Sequence, residues 1–200
     1  LENGALWYPD EHATELSADT LILSDSSKIL SDEKSLVLNI NSDLTLSVQT
    51  QIDCDTLTVN GASVTTIHEG SQISTDILNW NGMDLAIEST ASIDVSGRNP
   101  GETEGVGVSG PTNVSGNGGN HGGLGSKGFS SAANTNSYYG SSFEPTQAGS
   151  NGGSTNSGAG GLGGGIIRIA LSGTFALDGV ISSNGAGGSN GYNARGGGGG

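Results

Sequence analysis

The nine residues TLTVNGASV (Thr56–Val64) return 21 positions later as ILNWNGMDL (Ile77–Leu85), with Asn60–Gly61 falling on Asn81–Gly82. One step earlier, Leu36 and Leu38 precede Leu57 and Val59 by the same 21 positions. A period near 20 with about three short strands in each repeat describes one coil of a solenoid, because a unit that small buries its apolar face only against its neighbours. The expected fold is therefore all-β, a parallel β-helix or solenoid.

Within each repeat the apolar residues alternate with polar ones. The bursts are TLIL (Thr20–Leu23), LVLNI (Leu36–Ile40), LTLSV (Leu44–Val48), TLTV (Thr56–Val59), MDLAIE (Met83–Glu88) and SIDV (Ser92–Val95). A period of two marks half-buried strands, and the abundance of Thr, Val and Ile agrees with strand preference. Asn-Gly taken alone also marks hairpins, so an antiparallel sandwich stays as the alternative. The alternation predicts one core made of Leu36, Leu38, Leu57, Val59, Leu85, Ile87, Ile167 and Ile169.

A second period governs the other half. Glycine stands at 107, 110, 116, 119, 122, 125 and 128, then at 149, 152, 158, 161 and 164, then at 185, 188 and 191. A step of three matches the polyproline II helix, with three residues per turn. Collagen shares the step but needs abundant proline, and the whole chain has 4 prolines. The pattern predicts glycine-rich polyproline II (polyglycine II) segments packed alongside the solenoid, with Gly119, Gly122 and Gly125 against neighbouring backbones. Ordering a glycine costs roughly 0.5–1 kcal/mol more than ordering an alanine. A hydrogen bond returns about 1 kcal/mol net. Such a bundle must therefore pair nearly every backbone group. Between the glycine runs, GGGIIRIALSGTFALDGVISSNG (Gly163–Gly185) reads as two or three further strands of the solenoid. In the loop NSYYGSSFEPTQAG (Asn136–Gly149), Tyr138, Tyr139 and Phe143 read as plugs or lids of the bundle.

Charge divides where glycine does. Of the 37 glycines, four precede Gly97, and the first 96 residues hold 16 of the 20 acids against two lysines. The organisation read from this is an N-terminal extension (1–19), acidic solenoid coils (20–96) and a glycine-rich module with further strands (97–200). An acidic half with no basic patch argues against nucleic acid and anionic membranes as partners. No stretch has the length of a transmembrane span. The chain opens at Leu1, has its one methionine at Met83 and stops inside GGGGG, so it reads as a processed chain or a piece of a longer one. The lone Cys54 rules out an internal disulfide framework and reads as a small buried hydrophobe, with an intermolecular bridge as the alternative.

Little chemistry converges. Asp53 and Asp55 share a strand face, and DEH at Asp10–His12 holds two more acids, but neither has a visible third partner. His12, His68 and His121 share no metal-ligand spacing. GGLGSKG puts serine where a calcium-binding nonapeptide needs aspartate. Lys127 is followed by Gly128 and no helix, unlike a phosphate-cradling loop. No catalytic residue, metal or cofactor is expected. Asn113-Val114-Ser115 is an N-glycosylation sequon, which matters in a secreted protein. In LENGALWYPDEH, Leu6, Trp7 and Tyr8 form an apolar anchor on a polar stretch, either capping their own first coil or docking on a neighbouring subunit or module.

YGSSFEPTQAGSNGG (Tyr139–Gly153), followed by GGLGGGIIRIALSGTFALDGVISSNGAGG, resembles the glycine-rich, pectate-lyase-like repeats of very large secreted or cell-surface proteins. The resemblance covers about residues 97–200, and the acidic coils before it are in keeping. It implies architecture and brings no catalytic set. The expected function is a non-catalytic extracellular structural module of a fibre, surface coat or adhesive appendage, partnered by copies of itself or neighbouring modules, with glycans as possible ligands. A carbohydrate- or ice-binding solenoid is the first alternative, and a polysaccharide-degrading enzyme the second.

Overall fold

The structure, a computed structural model, describes residues 5–7, 15–98, 100, 117–121, 139–141, 143, 146–154 and 158–189, without the side chains of 32–34. Among these the chain forms strands and no helix. It divides into two compact units: Leu1–Asp94 with Ile167–Ser182, and Val95–Ile166 with Ser183–Gly200.

The first unit is a parallel β-solenoid of about 4 turns. A partial opening coil contains β1 (Leu6–Trp7), β2 (Glu15–Ala18) and β3 (Leu21–Leu23). Full coils follow in β4 (Lys28–Ile40) with β5 (Asp43–Leu46), β6 (Gln51–Asn60) with β7 (Val64–Ile67), and β8 (Gln72–Gly82) with β9 (Asp84–Ile87). The fourth begins with β10 (Ser92–Asp94) and is completed by β11 (Ile166–Leu171) and β12 (Phe175–Leu177), after which β13 (Val180–Ser182) starts another. One sheet runs β1-β4-β6-β8-β10-β13, with β2 on β4 and β11 on β8; the other runs β12-β9-β7-β5-β3. The pairing is parallel, which sets aside the antiparallel sandwich.

The 21-residue repeat is the register itself. Leu57 pairs Leu36 on one side and Leu78 on the other, and Asn60 pairs Asn39 and Asn81. Each long strand serves two faces of the coil. In β6 the buried residues are Ile52 and Cys54, then Leu57 and Val59, so Asp55 and Thr56 are consecutive non-core residues and the strand turns a corner there. A second corner precedes each long strand. Ser26, Gln49, Gly70 and Thr90 take positive φ values of 63°, 61°, 71° and 64° in successive coils, and each is followed by a small buried residue (Ser27, Thr50, Ser71, Ala91). The corners are also tied to one another: Thr50 Oγ1 and Ser71 Oγ lie 3.1 Å apart, and Gly70 N–H donates to Thr90 Oγ1 at 3.1 Å.

Stacked side chains fill the interior in columns. One is Ile29, Ile52, Ile73, Ile93 and Ile181; another is Leu23, Leu46, Ile67, Ile87 and Leu177. Of the predicted core, Leu36, Leu38, Leu57, Val59, Leu85 and Ile87 are buried, and Ile167 and Ile169 are partly buried against them. Cys54 is buried too.

Neighbouring coils are offset by 20–23 residues until the last turn, where Ser92 pairs Val180 and Leu85 pairs Phe175. Those pairs lie 88 and 90 residues apart, so the glycine-rich stretch is spliced into a single corner of one coil, between β10 and β11. The coil closes normally on return. Ser172 N–H donates to the Gly82 carbonyl at 3.1 Å, and Arg168 Nη1 to Asn79 Oδ1 at 3.2 Å.

In the second unit, backbone hydrogen bonds recur at the glycine step. Gly149 N–H donates to Gly164 O at 2.8 Å, and Gly152 N–H to Gly161 O at 2.9 Å: three residues forward on one segment, three back on the other. Ala186 N–H to Leu162 O (2.8 Å) and Ser189 N–H to Ala159 O (3.0 Å) repeat the step on a third segment. The segments are close enough that a Cβ on Gly163 would strike the Gly149 carbonyl, and one on Gly119 would lie 2.7 Å from the Ser150 carbonyl oxygen. Gly122 and Gly125, which were expected to behave likewise, lie outside the described residues.

Candidate functional site

The solenoid offers a ligand two kinds of surface: outward faces made of stacked columns, and the two ends. On the outer face of the short strands the columns are Asp43–Val64–Asp84 and Thr45–Thr66–Ala86–Ala176. Thr recurs in neither column beyond two rungs, so the regular Thr ladder of an ice-binding face is absent here. On the long strands an asparagine ladder runs along the coils, with Asn60 Nδ2 donating to Asn39 Oδ1 at 3.0 Å and Asn81 Nδ2 to Asn60 Oδ1 at 3.2 Å. No aromatic side chain lies in these columns to stack on a sugar.

Of the acids singled out in the sequence, Asp53 and Asp55 lie among the described residues. Asp53 sits between Leu30 and Ser74 of the adjoining coils, and Asp55 follows it at the corner, where its backbone carbonyl accepts a bond from Thr75 Oγ1 at 2.9 Å. Among the described residues no group of three His, Cys, Asp or Glu side chains is placed to hold a metal ion. His68 Nδ1 lies 3.0 Å from Glu88 Oε2 on the solenoid surface, while His121 packs in the second unit with its ring edge on Tyr139, centroids 5.1 Å apart. The Tyr139 hydroxyl donates to the Ala148 carbonyl at 2.6 Å, and Phe143 is 98% exposed. Asp10–His12, Asn113 and Tyr138 lie outside the described residues. No helix of the described residues is long and apolar enough to cross a membrane.

The ends are more informative. At the first edge β1 pairs β4 of its own chain, Leu6 opposite Lys28 and Trp7 opposite Ile29. Trp7 is partly buried against the core, whereas Leu6 is half exposed. Tyr8 lies outside the described residues. Trp7, Leu16, Leu21 and Ile29 line an open apolar hollow of about 280 Å³. At the far edge, Phe175 and Leu177 continue the columns of Leu85 and Ile87. Leu85 and Ile87 are each 1% exposed, yet Phe175 and Leu177 are 45% and 46% exposed. Among the described residues no strand pairs β12 on its other side.

Charge differs between the ends along one column. Glu15 begins it on β2, followed by Val37, Thr58 and Asn79, and Arg168 of β11 binds Asn79 from beyond. Neither Glu15, Arg168, Phe175 nor Leu177 stands out as a site in the sequence. Counting the coil period from Leu57 reaches Glu15's column, but no count crosses the glycine insertion to Arg168.

Comparison with protein-family models, with curated proteins and with solved structures finds no match.

Proposed function

We propose that this chain is a non-catalytic structural module of an extracellular fibre, surface coat or adhesive appendage, of the glycine-rich, pectate-lyase-like kind that its sequence resembles. The observation that carries the reading is the continuous core of stacked columns, such as Ile29, Ile52, Ile73, Ile93 and Ile181, that runs from coil to coil. The rest of the solenoid supports a mechanical role. It has a continuous core, corner-to-corner hydrogen bonds and an outer asparagine ladder, and its surface acids are dispersed.

The glycine-rich unit fits the same role as a polyglycine II bundle. Hydrogen bonds spaced by three residues on paired segments are what three-residue turns would make. Contacts from backbone to backbone leave little room for bending. Placement outside the cell, and a glycan on Asn113, follow from the resemblance. Labelling intact, unpermeabilised cells with an antibody to the solenoid tests this directly. Surface label along filaments or a coat is expected; label seen only after permeabilisation would overturn the reading.

A further inference from the structure

We propose that Asn184–Gly185 is a self-modification site, the bond among the described residues at which the folded chain first deamidates through a cyclic imide. The inference is independent of the structural role and rests on how the fold treats its Asn-Gly pairs.

Asn-Gly favours this reaction because glycine has no side chain to shield its backbone nitrogen. The Gly185 nitrogen bonds to Asn184 Cγ, the Cγ–Nδ2 bond breaks, and Nδ2 leaves as ammonia, carrying the proton that the Gly185 amide gives up. Solvent water, the co-reactant, then adds to one of the two ring carbonyls and opens the imide. One opening gives aspartate. The other gives isoaspartate, in which the main chain runs through Cβ and Cγ and is longer by one carbon. A hydrogen bond on the side-chain amide or on the attacking N–H must break before the ring can close.

The sequence holds seven Asn-Gly pairs, and five of them lie among the described residues. Four of the five are guarded. Asn60 Nδ2 donates to Asn39 Oδ1 at 3.0 Å, and Gly61 N–H donates to the Asn81 carbonyl at 2.9 Å. Asn81, within β8, donates through Nδ2 to Asn60 Oδ1 at 3.2 Å. Asn117 is fully buried, and both it and Gly118 are engaged by neighbours. Asn151 Oδ1 accepts from Gly163 N–H at 2.8 Å, while Gly152 N–H donates to the Gly161 carbonyl at 2.9 Å. Asn184 differs. It is exposed, and neither its side chain nor the Gly185 N–H has a hydrogen-bond partner among the described residues.

The surroundings give the reaction a structural consequence within the glycine-rich unit. Asn184 N–H donates to Ser96 Oγ at 3.0 Å, and the Asn184 carbonyl accepts from Gly97 N–H at 2.8 Å. Two residues on, Ala186 N–H donates to the Leu162 carbonyl at 2.8 Å. The reactive bond therefore lies between two anchors. In isoaspartate the carbonyl that holds Gly97 becomes part of a free carboxylate, and the extra carbon shifts one anchor against the other. The segment that begins at Asn184 is loosened from its neighbours.

The test holds the full chain in mildly alkaline buffer, samples it over time and counts deamidated peptides by mass spectrometry after digestion. A guarded pair reacts only through local opening, so Asn60, Asn81, Asn117 and Asn151 should deamidate at least about tenfold more slowly than Asn184. In denaturant the five rates should converge. Asn184→Gln, whose longer side chain closes a ring slowly, should fold and lose the early product. Hydrogen exchange at Gly97 and Ala186 should quicken as isoaspartate accumulates. An Asn184 that stays intact in the folded chain yet reacts in denaturant overturns the proposal. So does any of the four guarded pairs that reacts as fast as Asn184 in the folded chain. Exchange at Ala186 that is unchanged after conversion overturns the loosening.

Discussion

Asn60 hydrogen-bonds through its side-chain amide to Asn39, one coil below, at 3.0 Å. Its own oxygen accepts from Asn81, so the Asn60 amide is both donor and acceptor. The ladder is partly open to water, which limits its worth. With each net bond contributing about 0.5–1.5 kcal/mol, Asn60→Ala should lower unfolding free energy by about 1–2 kcal/mol. Urea denaturation of the variant checks this; an unchanged midpoint would mean that water replaces the ladder at no cost.

Thr65 breaks an otherwise apolar column between Leu44 and Leu85, and its buried hydroxyl has no hydrogen-bond partner among the described residues. A buried hydroxyl without a partner costs about 1–3 kcal/mol. Thr65→Val keeps the shape and removes that cost, so the variant should be more stable by about 1 kcal/mol and melt a few degrees higher. A lower melting temperature would show that the hydroxyl is satisfied.

Leu57 is fully buried at the middle of the stack, between Leu36 and Leu78. Its truncation to alanine leaves a cavity that rigid strands above and below do not collapse, at a cost of about 2–5 kcal/mol. Chemical denaturation measures it. A loss under about 0.5 kcal/mol, the range of surface sites, would remove this strand from the core.

Two glycines of the second unit make a matched pair. A methyl group on Gly163 would collide with the Gly149 carbonyl, whereas one on Gly187 meets nothing within 4 Å. Gly163→Ala should force the segments apart and cost about 1–3 kcal/mol. Gly187→Ala should be neutral or stabilising by about 0.4–1 kcal/mol through the unfolded chain. Hydrogen exchange at Gly149 and Gly152 reads both effects locally. Equal behaviour of the two variants would contradict close packing of these segments.

The solenoid was legible because its corners repeat. Asn60–Gly61 and Asn81–Gly82 align in the sequence and stack in space, and the inward residues of β6 and β8 follow from that single match. The opening coil was not legible as such. Leu6–Trp7 and Glu15–Ala18 pair β4, yet two and four residues carry too little alternation to set a register, so 1–19 read as an extension. The strands at Ile167–Ser182 were visible from their alternation. Their place in the stack was not, because a register cannot be counted across an insertion that shares no period with the coils. The exposure of the last described short strand stayed hidden too. Phe175 and Leu177 have the same pattern as buried Leu85 and Ile87, yet they are 45% and 46% exposed.

The proposed role is that of a structural module in an assembled material. Electron microscopy of the concentrated full chain, with diffraction from aligned material, tests it most directly. A solenoid module of a fibre predicts filaments with the strand spacing of about 4.8 Å running along the filament axis. Isolated particles at every concentration, or filaments whose strand spacing lies across the axis, would contradict it.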